Sequence, residues 1–157
     1  MTTHWRIEPL ADHPDCIPEL AGWFEQAWPA WYAGFAAGRA AADLRSYAQR
    51  GTLPIGLVAL APGGGPCGFG ALKREAFPTH PHLAPWAGAM CVAPALRRQG
   101  IGRALLIGLE VEARQLGHAR LYAATGGARS LFERLGWSVL EQVRHDGQSL
   151  AILTKAI

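Results

Sequence analysis

The residues best suited to chemistry stand in a row: Arg97-Arg98-Gln99-Gly100-Ile101-Gly102-Arg103. Two arginines lead into Gly-x-Gly, and an apolar periodic run follows at once. The first turn of a helix already carries about half a positive charge, and glycine is a poor helix former. Such a start is costly unless something negative comes close. Unpaired amides and the dipole make a helix N-terminus a ready anion site. A strand that turns straight into the helix aims successive amides into one concavity. Gly100 and Gly102 lack the Cβ that would bar a bulky anion, and Arg97, Arg98 and Arg103 add charge-assisted contacts at the rim. The implied chemistry is recognition of a pyrophosphate.

Other glycine motifs fail on context. No Gly-Lys-Ser/Thr follows, which excludes a P-loop, and no Gly-x-Gly-x-x-Gly opens a helix after an early strand. The stretch Gly65-Pro66-Cys67-Gly68-Phe69-Gly70 is followed by strand signals and reads as a hairpin.

Periodicity supplies the elements that hold this loop. Trp5–Ala11 alternates as a first strand. Pro14–Trp28 sets Ile17, Leu20, Phe24, Ala27 and Trp28 at helical spacing, with Asp15 as cap and Pro29 as stop. A second helix, with Leu44, Tyr47 and Ala48 on one face, is expected to end at Gly51. Leu53–Ala61 and Pro66–Glu75 read as strands joined by a Gly/Pro turn, and Trp86–Pro94 as a fourth strand. A long helix is predicted from Arg98 to Leu116, stopped by Gly117. Ala119–Thr125 is a fifth strand, and Ala128–Gly136 a short helix. A hairpin through Asp146-Gly147 closes the chain.

A chain of 157 residues, half hydrophobic and 17% charged, has a globular balance and suits one domain. Arg97, Arg98 and Arg103 equal the whole net charge of +3, so the basicity is local and no nucleic-acid stripe is expected. No apolar run approaches the ~20 residues of a membrane span. The opening residues, MTTHWRIEPL, lack the pattern of a signal peptide. Cys16, Cys67 and Cys91 are scattered, as in reduced cytoplasmic proteins.

The run from Arg97 to Gly102, after Cys91-Val92-Ala93-Pro94 and before an amphipathic helix, resembles the Gln/Arg-x-x-Gly-x-Gly/Ala loop of the GNAT superfamily of N-acetyltransferases. Ser130–Trp137 looks like that family's late helix running into its sixth strand. His82–Pro94 is similar to a bacterial subgroup with a Leu-x-Pro-Trp lead-in to the fourth strand. The resemblance covers Leu53–Ile157, and the earlier residues in element order only. It implies a single domain over residues 1–157. The fold would be a mixed, mostly antiparallel sheet of about seven strands flanked by about four helices, with strands four and five splayed apart. It also implies acetyl-CoA as cosubstrate, with no metal. Amides from Arg98 to Arg103 would hold the pyrophosphate, and the edge of strand four at Met90, Cys91 and Val92 would pair with the pantetheine amides.

An amine attacks a thioester only as the free base, yet lysine-like amines have pKa values near ~10.4. A site must therefore take a proton and stabilise an oxyanion; a strand-four amide, of Met90 or Val92, suits the second task. Strand four itself has no acid or histidine. Glu75, at the end of strand three, and His80 and His82, just before strand four, are the candidate bases acting through water. A solvated loop residue is the plain reading of each. The His80/His82 pair lacks a third ligand at useful spacing, so no metal is expected.

Many family members carry a tyrosine at the position of Phe132 to protonate the leaving thiolate. Its absence implies a differently assisted departure, tolerable for a thiol of pKa near ~8.5, with Ser130 nearby. Phe132 is still expected against the cosubstrate. Cys91 reads as a core residue of its strand rather than an acyl carrier.

The acceptor is expected between the first two helices and the loop before strand four, among Trp23, Trp28, Trp31, Tyr32 and Trp86. Most of these rings are expected in the core, with one or two at the mouth offering their faces to an aliphatic chain or a cationic amine. The resulting expectation is transfer of an acetyl group from acetyl-CoA to a primary amine of a small molecule, by direct attack in a ternary complex. No nucleic acid or membrane partner is expected, and a homodimer is compatible. The alternative is a non-catalytic acyl-CoA-binding module, suggested by Phe132 and the acid-free fourth strand.

Overall fold

A computed structural model describes residues 5–32, 38–77 and 79–157. Residues 1–4 of the opening stretch and Pro78 of the loop before strand four lie outside the described residues. The elements run β1 (Arg6–Pro9), α1 (Ile17–Ala27), α2 (Pro29–Tyr32), α3 (Arg39–Ser46), β2 (Ile55–Leu60), β3 (Pro66–Lys73), β4 (Trp86–Val92), α4 (Ile101–Gln115), β5 (Arg120–Thr125), α5 (Arg129–Arg134), β6 (Ser138–His145) and β7 (Gln148–Ala156). Seven strands form one sheet in the order β1-β2-β3-β4-β5-β7-β6. Every neighbouring pair is antiparallel except β4–β5. That parallel pair needs a crossover, which α4 supplies.

The expected mixed sheet and its splay are present. β4 and β5 pair only at Trp86↔Tyr122, beside a bond from the Tyr122 amide to the Pro85 carbonyl. Beyond that point the strands part. β4 also carries a bulge: Phe69 pairs with Cys91 and Ala71 with Gly88, so Ala89 and Met90 together face Gly70. Ala89 sits at φ 52, the left-handed region that a bulge residue adopts.

The two faces of the sheet are covered by different helices. α4 packs on one face through Ile101, Leu105, Leu106 and Leu109, against Leu57, Ala59, Leu72 and Ala87. Gly68 lets it approach, since a Cβ there would lie 2.8 Å from Ile101 Cγ2. On the other face α1 and α3 bury Leu20, Phe24 and Leu44 against Val58, Leu60, Phe69 and Ala71. In the second half of β3, Gly68, Gly70 and Leu72 therefore face α4, while Phe69, Ala71 and Lys73 face α1 and α3.

Several local expectations need correction. Pro29 does not merely stop α1; it opens α2, a fifth helix, because the first turn of a helix needs no amide from it. Asp15 is not a cap: it lies in a 3-10 turn, and α1 begins after Cys16 with no side-chain cap among the described residues. α3 stops at Ser46, and Gly51 (φ 74) serves the turn that follows. α4 starts at Ile101, not Arg98; Arg98 is left-handed at φ 65 and Gly100 at φ 88. β1 gives way to a 3-10 turn at Leu10. Gly117 does end the long helix, its amide bonding Arg114 O and the His118 amide bonding Ala113 O.

One buried ion pair fixes α4 to the far half of the sheet. Glu110, 6% exposed, receives Lys155 Nζ at 2.6 Å and Trp137 Nε1 at 3.3 Å. Trp137 in turn meets Phe132 edge-on at 5.1 Å, so α5 is held against α4. Among the described residues, no helix is long and apolar enough to cross a membrane.

Candidate active site

The first cleft forms at the start of α4. Gly100 takes the left-handed conformation that a side chain resists, and this turns the chain from the 3-10 turn Pro94–Leu96 into the helix. The first helical bond runs from the Ala104 amide to the Gly100 carbonyl. Among the described residues, nothing closes the amides of Ile101, Gly102 and Arg103, and no side chain caps the helix. A Cβ on Gly102 would have Leu131 Cδ2 as its nearest neighbour, at 3.8 Å, so the approach past it is open. Val92, Arg97, Arg98, Arg103 and the α5 residues Leu131 and Arg134 complete a cleft of about 780 Å³. Three amides, a helix dipole and four guanidinium groups converge there. This is chemistry for a multiply charged anion.

The β4 edge leads away from that cleft. Ala93 N donates to Cys67 O across the β3 side, so the alternating backbone turns Val92 the other way. Val92 O instead receives Arg97 Nε at 3.4 Å. From Gly88 to Val92 the strand is half-buried and unpaired with β5, so its main chain offers a free edge. Met90 and Val92 pack toward α4, while Ala89 and Cys91 pack toward α1 and α3. Burial pushes the Cys91 thiol up to about 11, only partly opposed by Arg97, so it stays protonated near neutral pH and is a poor nucleophile.

A second cleft, about 900 Å³, lies on the α1–α3 face and reaches β4 at Ala89. Trp28, Trp31 and Tyr32 give it an aromatic wall, Asp43 comes from α3 and Tyr47 follows its end, and Lys73 ends β3. His145, Asp146 and Gln148 reach it from the β6–β7 turn. Tyr32 donates its hydroxyl to Asp43 Oδ2 at 2.8 Å; burial and this bond hold the phenol well above its ordinary range. Tyr47 is pushed up to about 12 by burial, with Asp43 adding to it. Lys73 is moved the opposite way: burial disfavours its ammonium, and Asp43 offsets only part of this.

The residues singled out in the sequence divide into three groups. Arg97, Arg98, Gly100, Ile101, Gly102 and Arg103 line the first cleft with Val92, and Gln99 is exposed in the same turn. Trp28, Trp31 and Tyr32 line the second; Trp23 is half-buried against the α1–α3 core, and Trp86 is buried, donating Nε1 to Leu83 O. Glu75, His80, His82 and Phe132 line neither cleft. Glu75 and His82 are exposed, and His80 turns to β6, with Nε2 2.9 Å from Glu141 Oε2. Phe132 is buried in the core against Trp137. Asp43, Lys73, His145 and Arg134 were not marked in the sequence. Alternation along β3 could have placed Lys73 with Phe69 and Ala71, but only the folded chain sets it beside Ala89.

A sheet splayed beside a glycine-started helix, with an anion cleft on one face and a mixed cleft on the other, is the frame of an acyl-transfer domain. A family model described as an acetyltransferase (GNAT) domain matches residues 55–139, and the chain belongs to that family. No curated protein matches it significantly in sequence. Its fold is similar to an aminoglycoside 6'-N-acetyltransferase complexed with coenzyme A, at a TM-score of 0.78 and 15% identity, covering 96% of each chain. A GNAT superfamily phosphinothricin acetyltransferase from Sinorhizobium meliloti, in complex with AcCoA, gives 0.75 and 21%, covering 100% of this chain and 89% of that one. A GNAT-family acetyltransferase from Streptococcus pneumoniae gives 0.71 and 15%, covering 98% and 100%.

Proposed function

We propose that the protein is a single-domain N-acetyltransferase that moves an acetyl group from acetyl-CoA to a primary amine of a small molecule. One observation carries the reading. β4 contributes Val92 to the anion cleft and Ala89 to the cleft on the opposite face, and its only pairing with β5 among the described residues is Trp86↔Tyr122. A ligand anchored by its phosphates at α4 and extended along β4 would meet an acceptor at the bulge.

The donor set fits coenzyme A. The open amides of Ile101, Gly102 and Arg103 suit a pyrophosphate, with Arg97, Arg98 and Arg134 at its rim and Gln99 beside it. The free edge at Met90, Cys91 and Val92 suits the pantetheine amides as an added strand would. When bound, acetyl-CoA supplies an activated acyl group. The amine nitrogen bonds to its carbonyl carbon, the carbon–sulfur bond breaks, the thiolate leaves with the electron pair, and one amine proton is released.

This chain's residues orient the partners and handle that proton. Backbone amides at the bulge offer hydrogen bonds to the acyl oxygen, and holding both reactants on one strand supplies proximity. His145 stands on the wall of the acceptor cleft, and Glu75 and His82 act only through water. Phe132 offers no proton to the thiolate, which departs unaided or takes one from solvent. The Leu83–Trp86 lead-in supports placement in the bacterial subgroup that shares it.

The test is thermal and kinetic. Acetyl-CoA or CoA at ~100 times Kd is expected to stabilise the protein by about 2.7 kcal/mol, and CoA release is expected with small primary amines. No melting shift with either ligand at millimolar concentration overturns the reading. Alanine at the true base lowers turnover ~10²–10⁴-fold with the melting shift intact. Near-normal rates for alanine at Glu75, His82 and His145 alike assign deprotonation to bulk water.

A further inference from the structure

The acceptor cleft contains two opposite charges that do not satisfy each other. Asp43 and Lys73 both line it, yet no ion pair joins them within 4.0 Å. Asp43 engages one oxygen with Tyr32 and keeps the other available. Lys73 is half-buried on the cleft wall and has no hydrogen-bond or ion-pair partner among the described residues, so its ammonium is left to the solvent of the cleft. Partial burial disfavours that charge, and an anion entering the cleft would offset the cost. Its place in the fold makes the geometry useful. Lys73 is the last residue of β3 and pairs with Trp86, and its Cδ would lie 3.5 Å from a Cβ on Gly88. An anion at Lys73 therefore sits one strand from Ala89, the β4 residue on the wall of this cleft.

Accepting the acetyltransferase reading, we propose that the acceptor is an amino carboxylate with an apolar or aromatic body, its carboxylate taken by Lys73 and its amine lying between Asp43 and the β4 bulge. Trp28 and Trp31, both exposed on the wall, take the body of the molecule. Trp31 already stacks under the Arg39 guanidinium, 5.7 Å from its ring centre, so one face of that ring is in use. A polyamine would bring positive charge to Lys73 and is disfavoured. The acetylated product keeps its carboxylate and loses its positive charge, which weakens its hold on Asp43 and favours release.

The test pairs each amino acid with the amine that lacks its carboxylate: phenylalanine with phenethylamine, and leucine with isoamylamine, with spermidine as the polyamine. Binding to the CoA-loaded protein is read from tryptophan fluorescence, and turnover with acetyl-CoA from CoA release. The amino acids are expected to bind about 10- to 100-fold more tightly than the amines, the range of one charge-assisted contact. Lys73→Met removes that preference by weakening amino-acid binding while leaving amine binding within about threefold, and Lys73→Arg restores part of it. Equal binding of both members of each pair, or a preference that survives Lys73→Met, overturns the proposal. Either result leaves the acetyltransferase reading standing if the CoA melting shift is present. An absent shift instead removes the acetyltransferase reading, and this proposal with it.

Discussion

The anion cleft and the acceptor cleft are built by opposite strategies. The first is mostly main chain: one left-handed glycine, three open amides and a free strand edge, nearly all within Gly88–Arg103. The second is side chains drawn from α1, α2 and α3, the end of β3, the bulge of β4, and the β6–β7 turn. Main-chain recognition is compact because successive amides can converge only where the chain turns. Side-chain recognition needs no local sequence at all, only strands and helices that bring distant positions to one face. The two clefts should therefore fail differently when residues change.

The largest effect is expected at the ion pair that holds α4, the helix of the anion cleft, to the far half of the sheet. Glu110→Ala leaves Lys155 without its carboxylate and Trp137 without its acceptor, and should lower stability by about 3 kcal/mol. Denaturant titration measures it, and a loss below about 1 kcal/mol would mean that the pair is not needed to hold α4 to β7.

Next comes a separation of the clefts. Gly102→Glu should remove the whole CoA-induced stabilisation, about 2.7 kcal/mol at ~100 times Kd, by filling the approach and placing an anion against the phosphates. Arg98→Ala should only reduce it, because the amides remain. His145→Ala should leave it unchanged while slowing turnover. If Gly102→Glu still gave a normal shift, the anion would not be seated at α4.

The acceptor cleft has a pH signature of its own. Burial favours neutral Tyr47, whose folded pKa of about 12 stands above the ordinary 10.0. Its contribution is complete below pH 10 and disappears as pH rises through about 12, amounting to on the order of 2 kcal/mol. Tyr47→Phe should flatten that part of a stability–pH profile relative to the parent. An unchanged slope would mean that the phenol is not held neutral by the fold.

The smallest effect is conformational. Gly100→Ala puts a side chain at φ 88 with nothing within 4 Å to strike, so only the backbone term is felt. A loss of about 1 kcal/mol is expected, less than a clash would bring. A larger loss would mean that the turn is more crowded than its open surroundings show.

Legibility follows the same division. The strands β2 to β7, the long helix and the Asp146-Gly147 turn could be read from alternation, helical spacing and turn residues, because each signal is carried by neighbours in the chain. Pro29 misled because proline both ends and begins helices. The helix start was read three residues early because Arg98 occupies a left-handed conformation that arginine rarely adopts. Glu75 and His82 drew attention by proximity in sequence to β4, but proximity does not say which way a loop residue faces.

By itself, then, the order of amino acids determined the glycine-started helix, the mixed sheet and its family, since the turn before α4 and the pairing of the strands rest on local backbone properties. Tertiary structure alone decided the second cleft. The register β3↔β4, with its bulge at Ala89, put Lys73 beside the gap, and the packing of α1 and α3 brought Asp43 across from it. Residues 30 positions apart line one cleft there because burial of Phe24, Leu44 and Phe69 in one core packs α1 and α3 onto that face of the sheet.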